Sequence, residues 1–165
     1  MLTLLAETQP IAARPLTLPA GYVLRPMHAP DVPALAALYF AAYDRTIVPD
    51  LPAALEEMQQ TFAHEYGQLL LACSPVLIHD AIIVSAVMTV AHAPWPDTPA
   101  GPFVIEVFTH PAHRQRGLAR AGLIAAAQAL HQQGWRTLAL RVDPDNTAAT
   151  TLYTALGFHV WQAPP

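Results

Sequence analysis

Val104-Ile-Glu-Val-Phe-Thr-His-Pro-Ala-His-Arg-Gln-Arg-Gly-Leu-Ala119 is the stretch on which the reading of this chain turns. Its first six residues are β-branched or aromatic apart from Glu106, which reads as a buried strand. A short Arg-rich turn follows and opens directly into a helix at Gly117. A helix start leaves several backbone N–H groups unpaired and carries partial positive charge, so it attracts anions. Gly117 permits close approach of a guest to the backbone, and Ala119 keeps the first turn small. Arg114, Arg116 and Arg120 crowd three of the chain's eight basic residues into this turn. A pyrophosphate is the natural guest, although an ordinary strand-to-helix turn with solvated arginines would read the same. The G-x-G-x-x-G spacing of a dinucleotide fingerprint is absent, which disfavours a nicotinamide enzyme.

Outward from this turn, Gly117 to Gln133 predicts a long helix ended by Gly134, and Thr137 to Val142 a strand. Asn146 to Leu156 predicts a shorter helix ended by Gly157, and Phe158 to Trp161 a last strand. Upstream, Phe103 to Thr109 is the strand of the quoted stretch, preceded by a loop at Ala93 to Pro102 with four prolines. Val76 to His79 and Ile82 to His92 predict two strands joined tightly at Asp80–Ala81. Helices are expected from about Asp31, as a cap, to Tyr43 and from about Ala53 to Tyr66, with a loop at Thr46 to Pro52 and a strand at Tyr22 to Arg25. Residues 1–20 read as an N-terminal arm, and 21–165 as one domain. Strands that can pair antiparallel, followed by strand–helix–strand–helix–strand, give an α/β or α+β layer with helices on both faces of a mixed sheet.

Composition narrows the chemistry. The 165 residues suit a single core; 53% are hydrophobic and 12% charged, so the chain is globular. A net charge of -4 argues against a nucleic-acid partner. All eight basic residues are Arg. Without Lys there is no Schiff base, no phosphate-loop lysine and no kinase lysine. Cys73 is the only cysteine, which excludes an intramolecular disulfide and disfavours a thiolate metal site; no metal is expected. No signal peptide is read at the start, and the longest apolar run, about Ala81 to Ala91, falls short of the ~20 residues of a membrane helix. A cytoplasmic location and no membrane partner follow as expectations.

Two motifs carry a resemblance. Arg114-Gln-Arg-Gly117-Leu-Ala119 is similar to the acetyl-CoA signature Q/R-x-x-G-x-G/A of the GNAT superfamily, and Thr109-His-Pro111-Ala-His-Arg114 looks like that family's approach to it. Downstream, Asn146-Thr-Ala-Ala149-Thr-Thr-Leu152-Tyr153-Thr-Ala-Leu156-Gly157-Phe158 resembles the family's N-x-x-A-x-x-L-Y-x-x-L-G-F. One helix and one strand separate the two, as in the family. The specific match covers Phe103 to Phe158.

The resemblance implies a twisted sheet splayed at the cofactor strand, with acetyl-CoA as acyl donor. It implies that the backbone of Phe108 and Thr109 meets the pantetheine arm, with an N–H near Phe108 polarising the thioester carbonyl. The N–H groups of Gln115, Arg116, Gly117, Leu118 and Ala119, with Arg114 and Arg120 in the same turn, would hold the pyrophosphate. Asn146 would touch the cofactor arm, and Ala149 would leave room for the sulfur one turn from Tyr153. Tyr153 matches the family's general acid; read from the residue alone, it is a core aromatic with a satisfied hydroxyl. Glu106 is the candidate base, the lone charge in an apolar strand, expected to face away from Ile105 and Val107. The competing reading is an ion pair with Arg141; His110 and His92 are reserves. The acceptor side would draw on Tyr39, Phe40, Tyr43, Asp44, Asp50, Trp95, Asp97 and Trp161, a set that suits a cationic amine.

The implied function is N-acetyl transfer to a primary amine of a small molecule or peptide, by direct attack in a ternary complex without an acyl-Cys73. The alternative is an acyl-CoA-binding sensor or subunit without turnover. Family members usually end in two strands after L-G-F, and residues 158–165 have room for one. The edge beside Thr137 to Val142 is therefore expected to be covered by Leu2 to Ala6, within the chain or across a homodimer.

Overall fold

The computed structural model describes residues 1–164. In chain order the elements are β1 (Leu2–Glu7), α1 (Thr8–Ala12), β2 (Tyr22–Pro26), α2 (Val32–Ala42), α3 (Leu51–Phe62), β3 (Pro75–His79) and β4 (Ile82–Val90). β5 (Phe103–Thr109), α4 (Leu118–Gln132), β6 (Thr137–Val142), α5 (Thr147–Leu156) and β7 (His159–Val160) follow. The seven strands form one sheet in the order β2-β3-β4-β5-β6-β1-β7. Only β5 and β6 run parallel. This is the expected mixed α/β layer.

Helices cover both faces. On one side α2 and α3 bury Leu35, Leu38 and Met58 against Val76, Met88 and Phe108 of the sheet. On the other, α4 and α5 bury Leu123, Ile124, Leu130 and Leu156 against Val87, Val104 and Leu140. Gly122 brings α4 close to β4: a Cβ there would stand 2.8 Å from Val87 Cγ2. Among the described residues no helix is long and apolar enough to cross a membrane.

β1 occupies the place beside β6. The two pair antiparallel within the chain, from Leu2 opposite Val142 to Glu7 opposite Thr137, and β7 pairs with the far side of β1 at Leu4 and Leu5. Leu4, Ala6 and Ile11 are buried in the α4–α5 core, and the Thr8 hydroxyl donates to the Trp135 carbonyl at 2.7 Å.

Several boundaries differ from the sequence expectation. Asp31 does not cap α2 with its side chain. Its carboxylate accepts two 2.8 Å bonds from the Arg25 guanidinium and one from the His28 N–H, which holds its pKa below the usual carboxylate value. α3 starts at Leu51, inside the expected loop, because Asp50 accepts from the Ala53 N–H at 2.8 Å and caps it. α3 ends at Phe62 because His64 turns to a positive φ of 67° and leads into Gly67 at 106°. The last strand shrinks to His159–Val160. The β3–β4 hairpin closes at Asp80 and Ala81, both at positive φ, as a two-residue primed turn requires.

Two irregularities shape the centre of the sheet. β5 and β6 pair only at Phe103–Ala139 and Val104–Leu140, then part. On its other edge β5 carries a bulge: Met88 faces Glu106 and Thr89 faces Val104, leaving Ile105 as the extra residue.

Candidate active site

The gap between β5 and β6 opens into a cavity of about 670 Å³ floored by Val107, Phe108 and Thr109. Beyond Val104 the β6 side of β5 has no strand partner, so its backbone groups there are free for a ligand. His110 N–H donates to the Val84 carbonyl at 2.8 Å. The alternation of an antiparallel ladder therefore turns the N–H groups of His110 and Phe108 toward β4, and those of Val107 and Thr109 toward the gap. The resemblance implies an N–H near Phe108 at this place: in this register the Phe108 N–H belongs to the ladder, and that of the neighbouring Val107 faces the gap. Thr109 is fixed by a 2.8 Å hydrogen bond between its hydroxyl and that of Ser85.

The cavity ends at the start of α4. The first bond of that helix runs from the Ala121 N–H to the Gly117 carbonyl, so the N–H groups of Leu118, Ala119 and Arg120 lack helix partners. Gln115 and Gly117 both adopt positive φ, 59° and 76°, which curls the preceding backbone into a nest of N–H groups. A Cβ on Gly117 would meet nothing within 4 Å, so it would project into open space at this cradle. The residues present fit a diphosphate-bearing ligand.

The three arginines divide. Arg120 lines the cavity. Arg114 also lines it but acts as a strut, donating to the Ala42 carbonyl at 2.7 Å and the Thr109 carbonyl at 3.2 Å. The Arg116 side chain turns away to the Tyr22 hydroxyl (3.1 Å) and the Ala112 carbonyl (3.5 Å), leaving only its backbone near the cradle. From α5, Ala149 and Tyr153 line the opposite wall. Asn146 also lines the cavity while its side chain caps α5 by accepting from the Ala149 N–H at 3.1 Å. Sequence reasoning did not single out His113 or Leu152, which share this lining. Leu152 lay inside a quoted motif and His113 inside the quoted turn; neither residue type announces a lining role.

Tyr153 is buried, with its ring edge-on to Phe158 at 5.8 Å. Among the described residues no group bonds its hydroxyl. Burial, then the nearby Glu106 charge, push its pKa up to about 12.

Glu106 lies on the α2–α3 side. Because of the bulge it shares that face with Ile105, which packs into the same core, and only Val107 turns to the other. The simple alternation expected from the sequence fails at this point. Tyr43 donates to Glu106 Oε2 at 2.6 Å. Burial pushes the carboxyl up to about 7, against the pull of the Tyr43 hydrogen bond. No ion pair with Arg141 forms; Arg141 pairs with Asp97 at 2.9 Å and lies over the Trp95 ring. Tyr43 also lines the large cavity, so one phenol touches both the carboxylate and the gap. The two reserves serve the backbone: His110 accepts from Ala112 N–H, and His92 from Gly101 N–H.

The sequence profile of the acetyltransferase (GNAT) family matches residues 36–158. The chain belongs to this family. Acetyl-CoA is the acyl donor that a GNAT domain implies, and the cradle and splayed strands described above fit it. Among curated proteins, a mycothiol acetyltransferase of Renibacterium salmoninarum is 43% identical over 53 residues, 32% of this chain and 16% of that protein. One of Kocuria rhizophila is 42% identical over 65 residues, 39% and 22% of the two chains. The matches thus span less than a quarter of these relatives' length. Among solved structures, the aminoglycoside N-acetyltransferase AAC(6')-Iy in complex with CoA superposes with a TM-score of 0.65 at 20% identity, covering 90% of this chain and 96% of that one. A GCN5-related N-acetyltransferase from Sphaerobacter thermophilus gives 0.70 at 18% identity, over 97% and 48%. These structures share the fold of this GNAT domain.

Proposed function

We propose that this GNAT domain transfers the acetyl group of acetyl-CoA directly to a primary amine of a small molecule or peptide. The observation that carries the reading is the pair of groups set on opposite sides of the split sheet. Glu106, with a carboxyl that titrates near neutrality, stands on the α2–α3 side, and Tyr153, with an unengaged hydroxyl, on the α5 side. The amine nitrogen attacks the thioester carbon, whose oxygen is polarised by the Val107 N–H. The nitrogen's proton goes to Glu106, the C–S bond breaks, and the departing sulfur takes the Tyr153 proton. A thiol is a fair leaving group, so the acid contributes less than the base. The names of the similar proteins, mycothiol acetyltransferase and aminoglycoside N-acetyltransferase, support a small-molecule acceptor.

A covalent acyl-cysteine is not part of this reading. Cys73 is fully buried in the α4 core, and burial pushes its pKa up to about 11, so no thiolate is on hand.

Calorimetric titration with acetyl-CoA tests the donor site. Wild type is expected to bind and Gly117→Glu, which sends a carboxylate into the cradle, is not. Thiol release with an amine panel then tests transfer, and Tyr153→Phe is expected to lower turnover more than donor affinity. Donor binding without thiol release from any amine would replace this proposal with a non-catalytic acyl-CoA-binding module.

A further inference from the structure

The two carbonyls that Arg114 bonds belong to elements that meet at the reaction centre. Its Nη2 donates to Ala42, the last residue of α2, and its Nε to Thr109, the last residue of β5. One planar guanidinium, whose N–H groups diverge at fixed angles, thus clamps the ends of these two elements. Tyr43 follows Ala42 directly, and Glu106 stands three residues before Thr109 on the same strand. The 2.6 Å bond from the Tyr43 hydroxyl to Glu106 therefore crosses between the same two elements that Arg114 ties. α2 alone holds Tyr43 weakly. The chain leaves the helix at this residue, with φ -109° and ψ 152°, and the Tyr43 N–H reaches the Tyr39 carbonyl only at 3.3 Å, the long end of the hydrogen-bond range. The Ala42 carbonyl lies in the last turn, where the helix supplies no donor, and Arg114 supplies one.

We propose that Arg114 is a positioning residue for proton removal: it braces α2 against β5 so that the Tyr43 phenol stays on the Glu106 carboxylate. The proposal rests on the reading of Glu106 as the base. It gives the first residue of the signature turn a part in the acceptor half of the reaction, across the cavity wall from the diphosphate cradle. Arg114 is exposed, so its loss should disturb the fold little and its effect on Glu106 can be read apart from unfolding. The other titratable groups that act on Glu106 are Tyr39 of α2, Glu57 of α3 and Tyr153 of α5, and Arg114 bonds none of them.

The test follows the Glu106 carboxyl by carbon-13 NMR through a pH titration of wild type, Arg114→Ala, Tyr43→Phe and the double variant. Tyr43→Phe is expected to raise its pKa by about one pH unit, the loss of one hydrogen bond to a carboxylate. Arg114→Ala alone is expected to give at least half of that rise. In the Tyr43→Phe background Arg114→Ala should move the carboxyl no further, because no phenol is left to position. A carboxyl that titrates in Arg114→Ala as in wild type would overturn the proposal. So would a rise that persists undiminished in the Tyr43→Phe background, since Arg114 would then act by its charge alone. Calorimetry with acetyl-CoA reads the donor site of each variant, and a fall in affinity with an unmoved carboxyl would assign Arg114 to that site instead. None of these readouts needs an acceptor, so failure of the brace and failure of amine transfer, read by thiol release, give different results.

Discussion

Glu106 is one charged residue in an apolar strand, and its environment sets its use. A carboxyl that titrates at about 7 is half ionised at neutral pH, which suits a base that must both accept and release a proton. The rate is therefore expected to rise with pH through about 7 and then level. Glu106→Gln should lower turnover by roughly 10²–10⁴-fold and leave acetyl-CoA affinity unchanged, as single-turnover kinetics and calorimetry would show. The same shift acts on stability. The folded carboxyl binds its proton more tightly than the unfolded one, so wild type loses stability as pH rises from about 4.5 to 7. The loss is on the order of 2–3 kcal/mol, and Glu106→Gln should lack it in urea titrations at pH 5 and 8. Tyr43 works against the shift by hydrogen-bonding the carboxylate. Tyr43→Phe should therefore move the rising limb of the pH–rate profile toward alkaline pH; an unmoved limb would show that the phenol does not tune the base.

At the scale of elements, close approaches decide what substitutions cost. Gly67 sits at φ 106°, and a Cβ there would stand 2.4 Å from the His92 carbonyl oxygen, a rigid backbone atom. Gly67→Ala should cost ~3 kcal/mol, combining backbone strain with that clash. Gly122→Ala meets a methyl of Val87 instead, at 2.8 Å. The alanine gains helix propensity while α4 is pushed off β4, so a smaller loss of about 1 kcal/mol is expected, read from the same denaturant curves. Elements of this kind were legible from the sequence where caps and periodicity agree, as in α4, β5 and α5. The bulge at Ile105 was not: no glycine marks it, and it exists only because of how β5 registers on β4. Phe108 shows the same limit, since which way an N–H faces depends on the register of the neighbouring strand. The Tyr43–Glu106 contact joins residues 63 positions apart, and the only trace in the sequence was an aromatic pair, Tyr39 and Tyr43, at helical spacing.

On the scale of the whole molecule, the first dozen residues are part of the core. Leu4 and Ile11 are almost fully buried, and burying two such side chains contributes roughly 3–6 kcal/mol, a large share of a small domain's stability. Removal of residues 1–12 should abolish cooperative unfolding by circular dichroism and bring association through the bared edge of β6. A shortened chain that melted cooperatively within a few degrees of the full one would contradict this. The cover over β6 was foreseeable only by comparison with the family's usual strand count; composition alone reads this segment as an arm.

Because Glu7 pairs with Thr137, β1 finds its neighbour only after roughly 130 further residues have been made. A growing chain can zip β2 through β5 early, yet its N-terminal strand waits through most of translation with an apolar face uncovered. Contacts so distant in sequence close slowly. Folding of this domain should therefore finish with the docking of β1, and the nascent chain should be most prone to aggregation, or most in need of a chaperone, until β6 has emerged.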